Sequence, residues 1–360
     1  MRNDYALTIV QYVNLGLAFI INGILIYLIL RHSRRELGKY KYFLLIFAIN
    51  DMCYLFVHYS IQLTFDMYEN AFVIVSTGYI HGKGAVCFYT ACFAQTFIII
   101  VHHFVYRYMA VVKSRYLTFY DRIYGFPLII CSLIIFATIW FVLCWYLYGP
   151  DEVLEAIMLP YFVANFNTTT PQQTLGYLGA VYYTDGYWST IHWRYLSGTI
   201  VFSVVIMCCM AVIATCSLAI MRHLRVSTAS EKAKRLQMQL FQVLLLQFII
   251  PVIFNYMPVL LCLVIPLLPV SVSSPPFLLA TITTFFPIFD GLVIIFFIRD
   301  YRHALLRLLG RAPLKQTQRV AGHPHMNQPY VPLQSHVRPH HLPQVDSGSH
   351  QPDQNNHTNA

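Results

Sequence analysis

Apolar positions along the chain gather into seven blocks separated by polar stretches: residues 6–30, 42–65, 85–106, 125–148, 197–221, 240–268 and 277–298. Each block carries few or no charges and is long enough to cross roughly 30 Å of hydrocarbon as a helix. Only helices or closed barrels satisfy every backbone group in lipid, and barrel strands of about 10 residues are far shorter than these runs. The pattern predicts an all-α polytopic membrane protein, a bundle of seven transmembrane helices over residues 1–309. Met1 to Tyr5 carry Arg2 and Asp4 but no basic n-region, so the first block reads as a retained span rather than a signal peptide. Beyond the seventh block Tyr301, Leu305, Leu308 and Leu309 share a face that Arg302 and Arg307 avoid, as in an amphipathic helix lying on the membrane surface. Residues 310–360 turn rich in Pro, His and Gln with almost nothing to bury, and read as a disordered tail.

Composition and charge sharpen the picture. Hydrophobic residues make up 57% and charged residues 11%, which excludes a soluble enzyme. Lysines and arginines are split unequally between the two sides. One set holds Arg31, Arg34, Arg35, Lys39 and Lys41, then Arg107, Lys113, Arg115 and Arg122, then Arg222, Arg225, Lys232, Lys234 and Arg235, and seven more from Arg299 to Arg338; the other holds Arg2, Lys83 and Arg194. That is 21 against 3, which places the N-terminus outside and the tail in the cytoplasm. Topology and attraction to anionic inner-leaflet lipid thereby account for the net charge of +9 without nucleic acid. The outer loops lean acidic at Asp66, Glu69, Asp151, Glu152, Glu155 and Asp185, and the longest, 149–196, holds the glycosylation acceptor Asn167-Thr168-Thr169. The same pattern at Asn356 falls on the inner side, where it would go unused. The nine cysteines sit almost entirely inside the apolar blocks, without metal or scaffold spacing, as packing residues.

Polar residues at bilayer depth are costly and therefore candidates for function. Asp51 sits nine residues from the inner end of span two and Asp290 eight from the inner end of span seven. At about 1.5 Å per residue these are depths of roughly 14 and 12 Å, a level that Asn22 of span one shares. Asn22, Asp51 and Asp290 form either a polar cluster able to hold an ion or water or a structural tie between helices. His102, His103 and Arg107 close span three. Adjacent histidines point to different helix faces, and only His58 joins them in the spans, so no metal or haem ligand set assembles and no cofactor is expected. Pro251 and Pro258 in span six and Pro287 in span seven each remove a backbone hydrogen bond and permit a bend.

Four motifs, in order and on the right spans, resemble one family. Leu37-Gly38-Lys39-Tyr40-Lys41-Tyr42 in the first inner loop and Phe104-Val105-Tyr106-Arg107-Tyr108 ending span three are the first two. Leu236-Gln237-Met238-Gln239-Leu240-Phe241 with Gln247, Pro251, Tyr256 and Pro258 follows on span six, and Phe286-Pro287-Ile288-Phe289-Asp290 with Arg299-Asp300-Tyr301-Arg302 on span seven. Together they are similar to the nematode serpentine chemoreceptors of class r (Str) and relatives over residues 6–310. The resemblance implies a G-protein-coupled olfactory receptor in the plasma membrane of sensory-neuron cilia. Its implied partners are a small-molecule odorant, a heterotrimeric G protein and the lipid membrane. Tyr106-Arg107-Tyr108 falls where the wider rhodopsin-like superfamily has Asp/Glu-Arg-Tyr, and Pro287 with Asp290 falls where it has Asn-Pro-x-x-Tyr. Tyr106 in place of the acid removes the usual local partner of the arginine. That superfamily also joins the outer end of span three to the second outer loop by a disulfide. Cys87 is suitably placed, residues 149–196 hold no cysteine, and Cys144 is the available partner.

On this reading a small, largely apolar ligand binds between the outer halves of spans three, five, six and seven. Depth and polarity select Gln95, Thr96, Asn255, Tyr256, Thr281 and Thr284 as lining residues. Coupling would use Arg107, Tyr108, Lys234 and Arg235 at the inner face, with Pro251, Pro258 and Pro287 as pivots. Ser227, Thr228 and Ser230 are candidate phosphorylation sites in the third inner loop. The rivals are a seven-span ligand-gated ion channel, whose insect form has its N-terminus inside, and a transporter, which calls for an internal repeat that this chain lacks.

Overall fold

The computed structural model describes residues 5–33, 37–112, 114–118, 125–184, 190–227, 230–268 and 278–310. The tail beyond Gly310, with Asn356, lies outside the described residues, as do Arg34, Arg35, Lys113, Arg122, Asp185 and Thr228. Among the described residues seven helices are long and apolar enough to cross a membrane: Ala6–His32, Tyr40–Ile61, Lys83–Val112, Pro127–Leu147, Trp193–Val226, Ala233–Leu267 and Leu278–Phe297. They coincide with the seven apolar blocks. The helical elements are α1 (Tyr5–His32), α2 (Tyr40–Ile61), α3 (Lys83–Val112), α4 (Gly125–Leu147), α5 (Glu152–Phe166) and α6 (Trp193–Val226). Span six is α7 (Glu231–Pro251), a π turn at Val252–Tyr256 and α8 (Met257–Val264); span seven is α9 (Leu278–Thr283) followed by α10 (Phe286–Phe297). The surface helix α11 (Arg299–Leu308) buries Tyr301 and Ala304 and leaves Leu308 and Leu309 exposed, so only the first half of its expected apolar face packs on the bundle.

Both interruptions follow from proline. Pro251 and Pro258 bracket the π turn, where the ladder loosens by one residue. Pro287 occupies the first turn of α10, where its missing N–H costs nothing, and the chain breaks just before it. Close approach explains Gly291: a Cβ there would lie 2.7 Å from Ile21 Cγ2, so α10 presses on α1 through a position without a side chain. Spans three and seven are the most enclosed, and spans four and five turn most of their residues to lipid.

The sequence pattern did not foresee a β-sheet on the bundle. Span two, expected to reach residue 65, ends at Ile61, and Gln62 turns the chain through a left-handed conformation (φ 48°). From there β1 (Leu63–Tyr68) pairs antiparallel with β2 (Ala71–Ser76), which pairs antiparallel with β3 (Gly176–Val181) from the long second loop. Side chains alternate across a strand. Phe65, Phe72, Ile74 and Leu178 point down into the bundle, while Asp66, Val73, Tyr177 and Gly179 face α5. Asp151 caps α5 by accepting from the Leu154 amide at 2.9 Å, and α5 lays the buried Leu154, Met158, Tyr161 and Phe162 on the sheet. The result is a lid of two layers, sheet and helix, seated on the ends of the spans. Arg194 anchors it, pairing with Asp151 at 2.7 Å and donating to the Gly149 carbonyl at 2.9 Å.

Candidate functional site: a lidded aromatic cavity and an inner arginine lock

Beneath the sheet lies a cavity of about 70 Å³. The lid contributes Phe65, Phe72, Ile74 and Leu178 to its wall; the spans contribute Tyr89, Thr90, Phe93, Trp140, Cys144, Tyr148, Phe202, Val259 and Leu263. Trp140 stacks on Phe202 with ring centroids 4.3 Å apart, and Phe202 stacks in turn on Tyr148 at 5.4 Å. The hydroxyls of this wall are already engaged. Tyr148 Oη meets Thr199 Oγ1 at 2.8 Å, and Tyr89 Oη meets Tyr54 Oη at 2.6 Å and His58 Nδ1 at 2.8 Å. Thr90 donates to the Cys87 carbonyl at 2.9 Å, its Oγ1 lying 3.3 Å from Cys144 Sγ. Such a cavity favours an uncharged, apolar occupant. Its volume is about half of the ~150 Å³ in which an apolar cavity accommodates benzene.

The lid itself carries a titratable group. Asp66 was assigned to a solvent-facing acidic loop, yet it is buried under α5 and accepts a short hydrogen bond from Tyr161. Burial pushes its carboxyl up to about 6, against the lowering effect of that bond. Cys87 and Cys144, the pair that the resemblance offered for a disulfide, are both free and buried in the structure.

The six polar candidates for the ligand site stand elsewhere. Thr281 accepts from Gln11 and Thr284 from Asn14, each at 2.9 Å, so both face α1 and tie span seven to span one. Thr96, Asn255 and Tyr256 are buried one layer below the cavity; Tyr256 stacks on Phe97 at 3.6 Å and meets the cavity residue Phe93 edge-on at 5.7 Å. Gln95 is half-buried and not part of the wall. The aromatic wall was missed because about half of it comes from the lid and from span four and its outer end, and the rest is mostly apolar and aromatic side chains of spans three, five and six, which a search by polarity does not single out.

At mid-depth the structure brings Asn22, Asp51 and Asp290 into one buried layer. Asn22 Nδ2 donates to the Ala18 carbonyl and to that of Pro287, both at 3.0 Å, holding the broken span seven against span one. Asp51 and Asp290 lie within electrostatic reach of one another, and Gln247 of span six approaches Asp290. Neither carboxylate has a hydrogen-bond partner within 3.5 Å in the described residues, and Asn255 shares that condition.

At the inner end Arg107 is 4% exposed. Its Nη2 donates to the Gln237 carbonyl at the foot of span six at 3.1 Å, and its guanidinium lies 5.5 Å from the centre of the Tyr40 ring. Tyr40 stacks on Tyr106, so an aromatic shelf stands where the wider superfamily has an acid. His103 fixes the shelf by bonding the Phe43 carbonyl at 3.0 Å, while His102 reaches Ser132 of α4 at 2.8 Å. Gln239 donates a short bond to the Phe297 carbonyl, tying the same foot to span seven. Beside it a groove of about 770 Å³ is lined by Leu37, Arg235, Leu236, Gln237, Gln239, Leu240 and Arg299 among others; Lys234 is half-buried beside it but not in the wall, and Tyr108 is half-buried on α3.

A seven-span bundle with a small, lidded aromatic cavity at one end and a buried arginine clasping span six at the other is the architecture of a transmembrane receptor. The chain belongs to the serpentine type 7TM GPCR chemoreceptor Str family, whose model matches residues 7–306. It is similar to serpentine receptor class r-10 of Caenorhabditis elegans, 27% identical over 82% of this chain and 89% of that receptor. The Caenorhabditis briggsae protein of the same name is 25% identical over 85% of this chain and 92% of its own length. The G-protein coupled receptor str-33 of Caenorhabditis elegans is 23% identical over 85% of this chain and 91% of that receptor. The protein is a multi-pass membrane chemoreceptor of the GPCR class, and its family is one of receptors rather than enzymes.

Proposed function

We propose that the chain is an olfactory receptor of sensory-neuron cilia that binds a small, uncharged, largely apolar environmental molecule and activates a heterotrimeric G protein. The observation that carries this is the lidded aromatic cavity, whose wall hydroxyls are all engaged with the protein itself. The charge split of 21 lysines and arginines against 3 supports the lid outside and the groove in the cytoplasm, with Asn167, exposed at the end of α5, as the glycosylation site.

An occupant would bear on Phe93 and through it on Tyr256, inside the π turn. Span six can pivot there between Pro251 and Pro258, and its foot carries the Gln237 carbonyl away from Arg107. A ligand that binds better when this foot is released shifts the equilibrium by that difference in affinity. A second arm runs from Tyr89 to Tyr54, which packs 5.2 Å from Phe286 beside Pro287. Asn22, Asp51 and Asp290 hold the layer through which both arms pass, and the opened groove, with Arg107, Tyr108, Lys234 and Arg235, would receive a G-protein helix.

The test is expression in cells with a panel of small odorants, recording second messengers and membrane current with and without a co-expressed G protein. A response that requires the G protein is the expected result. A current that persists without it would replace this reading with a ligand-gated channel.

A further inference from the structure

The cavity is walled very differently on its two accessible sides. Toward the aqueous side stand two complete layers. Phe65, Phe72, Ile74 and Leu178 form the inner one, none more than 9% exposed, and α5 covers the sheet with Leu154, Met158, Tyr161 and Phe162, none more than 5% exposed. The sheet is wedged at both edges: α9 packs against β1, and the Gly179 amide of β3 donates to the Tyr148 carbonyl at 3.0 Å. The Tyr161–Asp66 bond joins its two layers.

Toward the membrane the wall is one side chain thick. Val259 and Leu263, one turn apart on α8, line the cavity together with Phe202 of α6. Their neighbours Leu260, Leu261, Val264, Val201 and Val204 are all exposed on the lipid-facing surface. Among the described residues α6 and α8 barely meet at these outer ends, so the seam between them is closed by side chains without packed backbone. Opening the lid means parting a sheet from its helix, whereas opening the seam needs rotamer changes of the half-buried Val259 and Leu263 beside the stacked Phe202. Rotamer changes are fast and cheap by comparison.

We propose that the ligand enters sideways, from the bilayer leaflet on the lid side, through the seam between α6 and α8, so that the receptor senses an uncharged molecule dissolved in the membrane. This rests on the cavity being the ligand site. Charged and strongly polar molecules are excluded by the route as well as by the wall. An apolar molecule is concentrated at the entrance by partitioning into lipid before it meets the protein.

Trp140, in the cavity wall and 8% exposed, supplies a reporter. The full chain would be placed in phosphatidylcholine nanodiscs with Trp145, Trp188 and Trp193 replaced by Phe, leaving Trp140 as the sole indole. Two quenchers carry the same heavy atom: iodoethane, which enters lipid, and iodide, which stays in water. Stopped-flow mixing should show iodoethane quenching Trp140 while iodide leaves it bright. Leu263→Phe should slow the onset and Val259→Ala should speed it, each roughly tenfold, as expected when one side chain gates the path. Tyr161→Phe, which loosens the lid, should leave the onset unchanged. Quenching by iodide as deep as by iodoethane, an onset that follows Tyr161→Phe, or one indifferent to both seam substitutions would overturn the lateral route. The cavity as the ligand site would survive that result. Conversely, seam-gated quenching with no odorant-driven signalling in cells would keep the route and remove the proposed olfactory role. Absence of quenching by iodoethane would overturn both.

Discussion

The surroundings of the cavity and the middle third of the bundle handle polar groups in opposite ways. Around the cavity each hydroxyl is bonded within the protein; Thr199 alone meets both the Tyr148 and the Tyr182 hydroxyls at 2.8 Å and donates to the Tyr195 carbonyl at 3.2 Å. One layer down, Asp51, Asn255 and Asp290 are fully buried with no such partners. Satisfied buried networks rigidify a structure, while an unpaired buried polar group is costly and gains from any rearrangement that gives it a partner. The surroundings of the cavity are thus built to hold a shape around a small molecule. The middle third, containing the π turn and the break before Pro287, is built to have more than one arrangement.

The sharpest way to separate the two halves is Arg107→Ala. Arg107 touches the foot of span six and nothing in the cavity wall. Loss of its clasp on Gln237 should raise ligand-independent coupling, while loss of the charged hydrogen bond that Arg107 offers a G-protein helix in the opened groove, worth about 1.5–3 kcal/mol, should lower ligand-driven coupling roughly tenfold to a hundredfold. Surface expression and quenching of Trp140 by iodoethane should stay as in the parent. Retained coupling would remove Arg107 from the mechanism; lost quenching would show that the halves are not separable.

The lid should respond to acid where the middle third does not face water. With its carboxyl raised by burial, Asp66 holds its proton more tightly in the packed lid than in an opened one. The docking energy of the lid is therefore fully present below the ordinary carboxylate value of 3.8 and is lost as pH rises through about 6. The loss is about 3 kcal/mol, at ~1.4 kcal/mol per pH unit. Groups facing Asp66 are Tyr161 on α5 and Cys262 on α8, neither a cation, so no counter-charge cancels the effect. Hydrogen-exchange protection of the β2 amides should be higher at pH 4.5 than at pH 7.5, and Asp66→Asn should flatten the difference.

These contrasts explain what was legible in the sequence. The seven spans were, because each is a run of apolar residues too long for any other structure in lipid. The level of Asn22, Asp51 and Asp290 was too, because depth is counted along a helix. The lid was not, since the alternation of Leu63, Phe65 and Met67 follows directly on an apolar helix and its first half was absorbed into span two. A signal for α5 was nevertheless present: Asp151 as a cap and Leu154, Met158, Tyr161 and Phe162 at helical spacing. The partner of Arg107 had no signature at all, because a backbone carbonyl belongs to every residue. The direction of Thr281 and Thr284 depended on which face of span seven meets span one, which the close approach at Gly291 decides and composition does not.

Around the cavity, Thr199→Val keeps the shape and removes one oxygen. It leaves the Tyr148 and Tyr182 hydroxyls buried without that partner, and the cost should be about 2 kcal/mol. The melting temperature in detergent should drop, and quenching of Trp140 should deepen as the wall loosens. An unchanged melt would show that these hydroxyls find other partners, and the rigidity ascribed to the surroundings of the cavity would lose its basis.

The same exchange of a polar for an apolar side chain should have the opposite sign in the middle third. Asn255 lies in the π turn with 0% exposure and neither amide atom bonded. Burying an unpaired amide costs free energy that a side chain of similar size without polar atoms does not incur. Asn255→Leu should raise stability by about 1 kcal/mol, a shift of roughly 2–4 °C in the melt of a chain this long. If Asn255 is a group that gains a partner only after span six pivots, the same substitution should weaken odorant-driven signalling while the resting protein becomes more stable. A variant that melts higher and signals normally would reduce Asn255 to a packing residue. One that melts lower would mean that the middle third is as fully bonded as the surroundings of the cavity, and the contrast between them would fall.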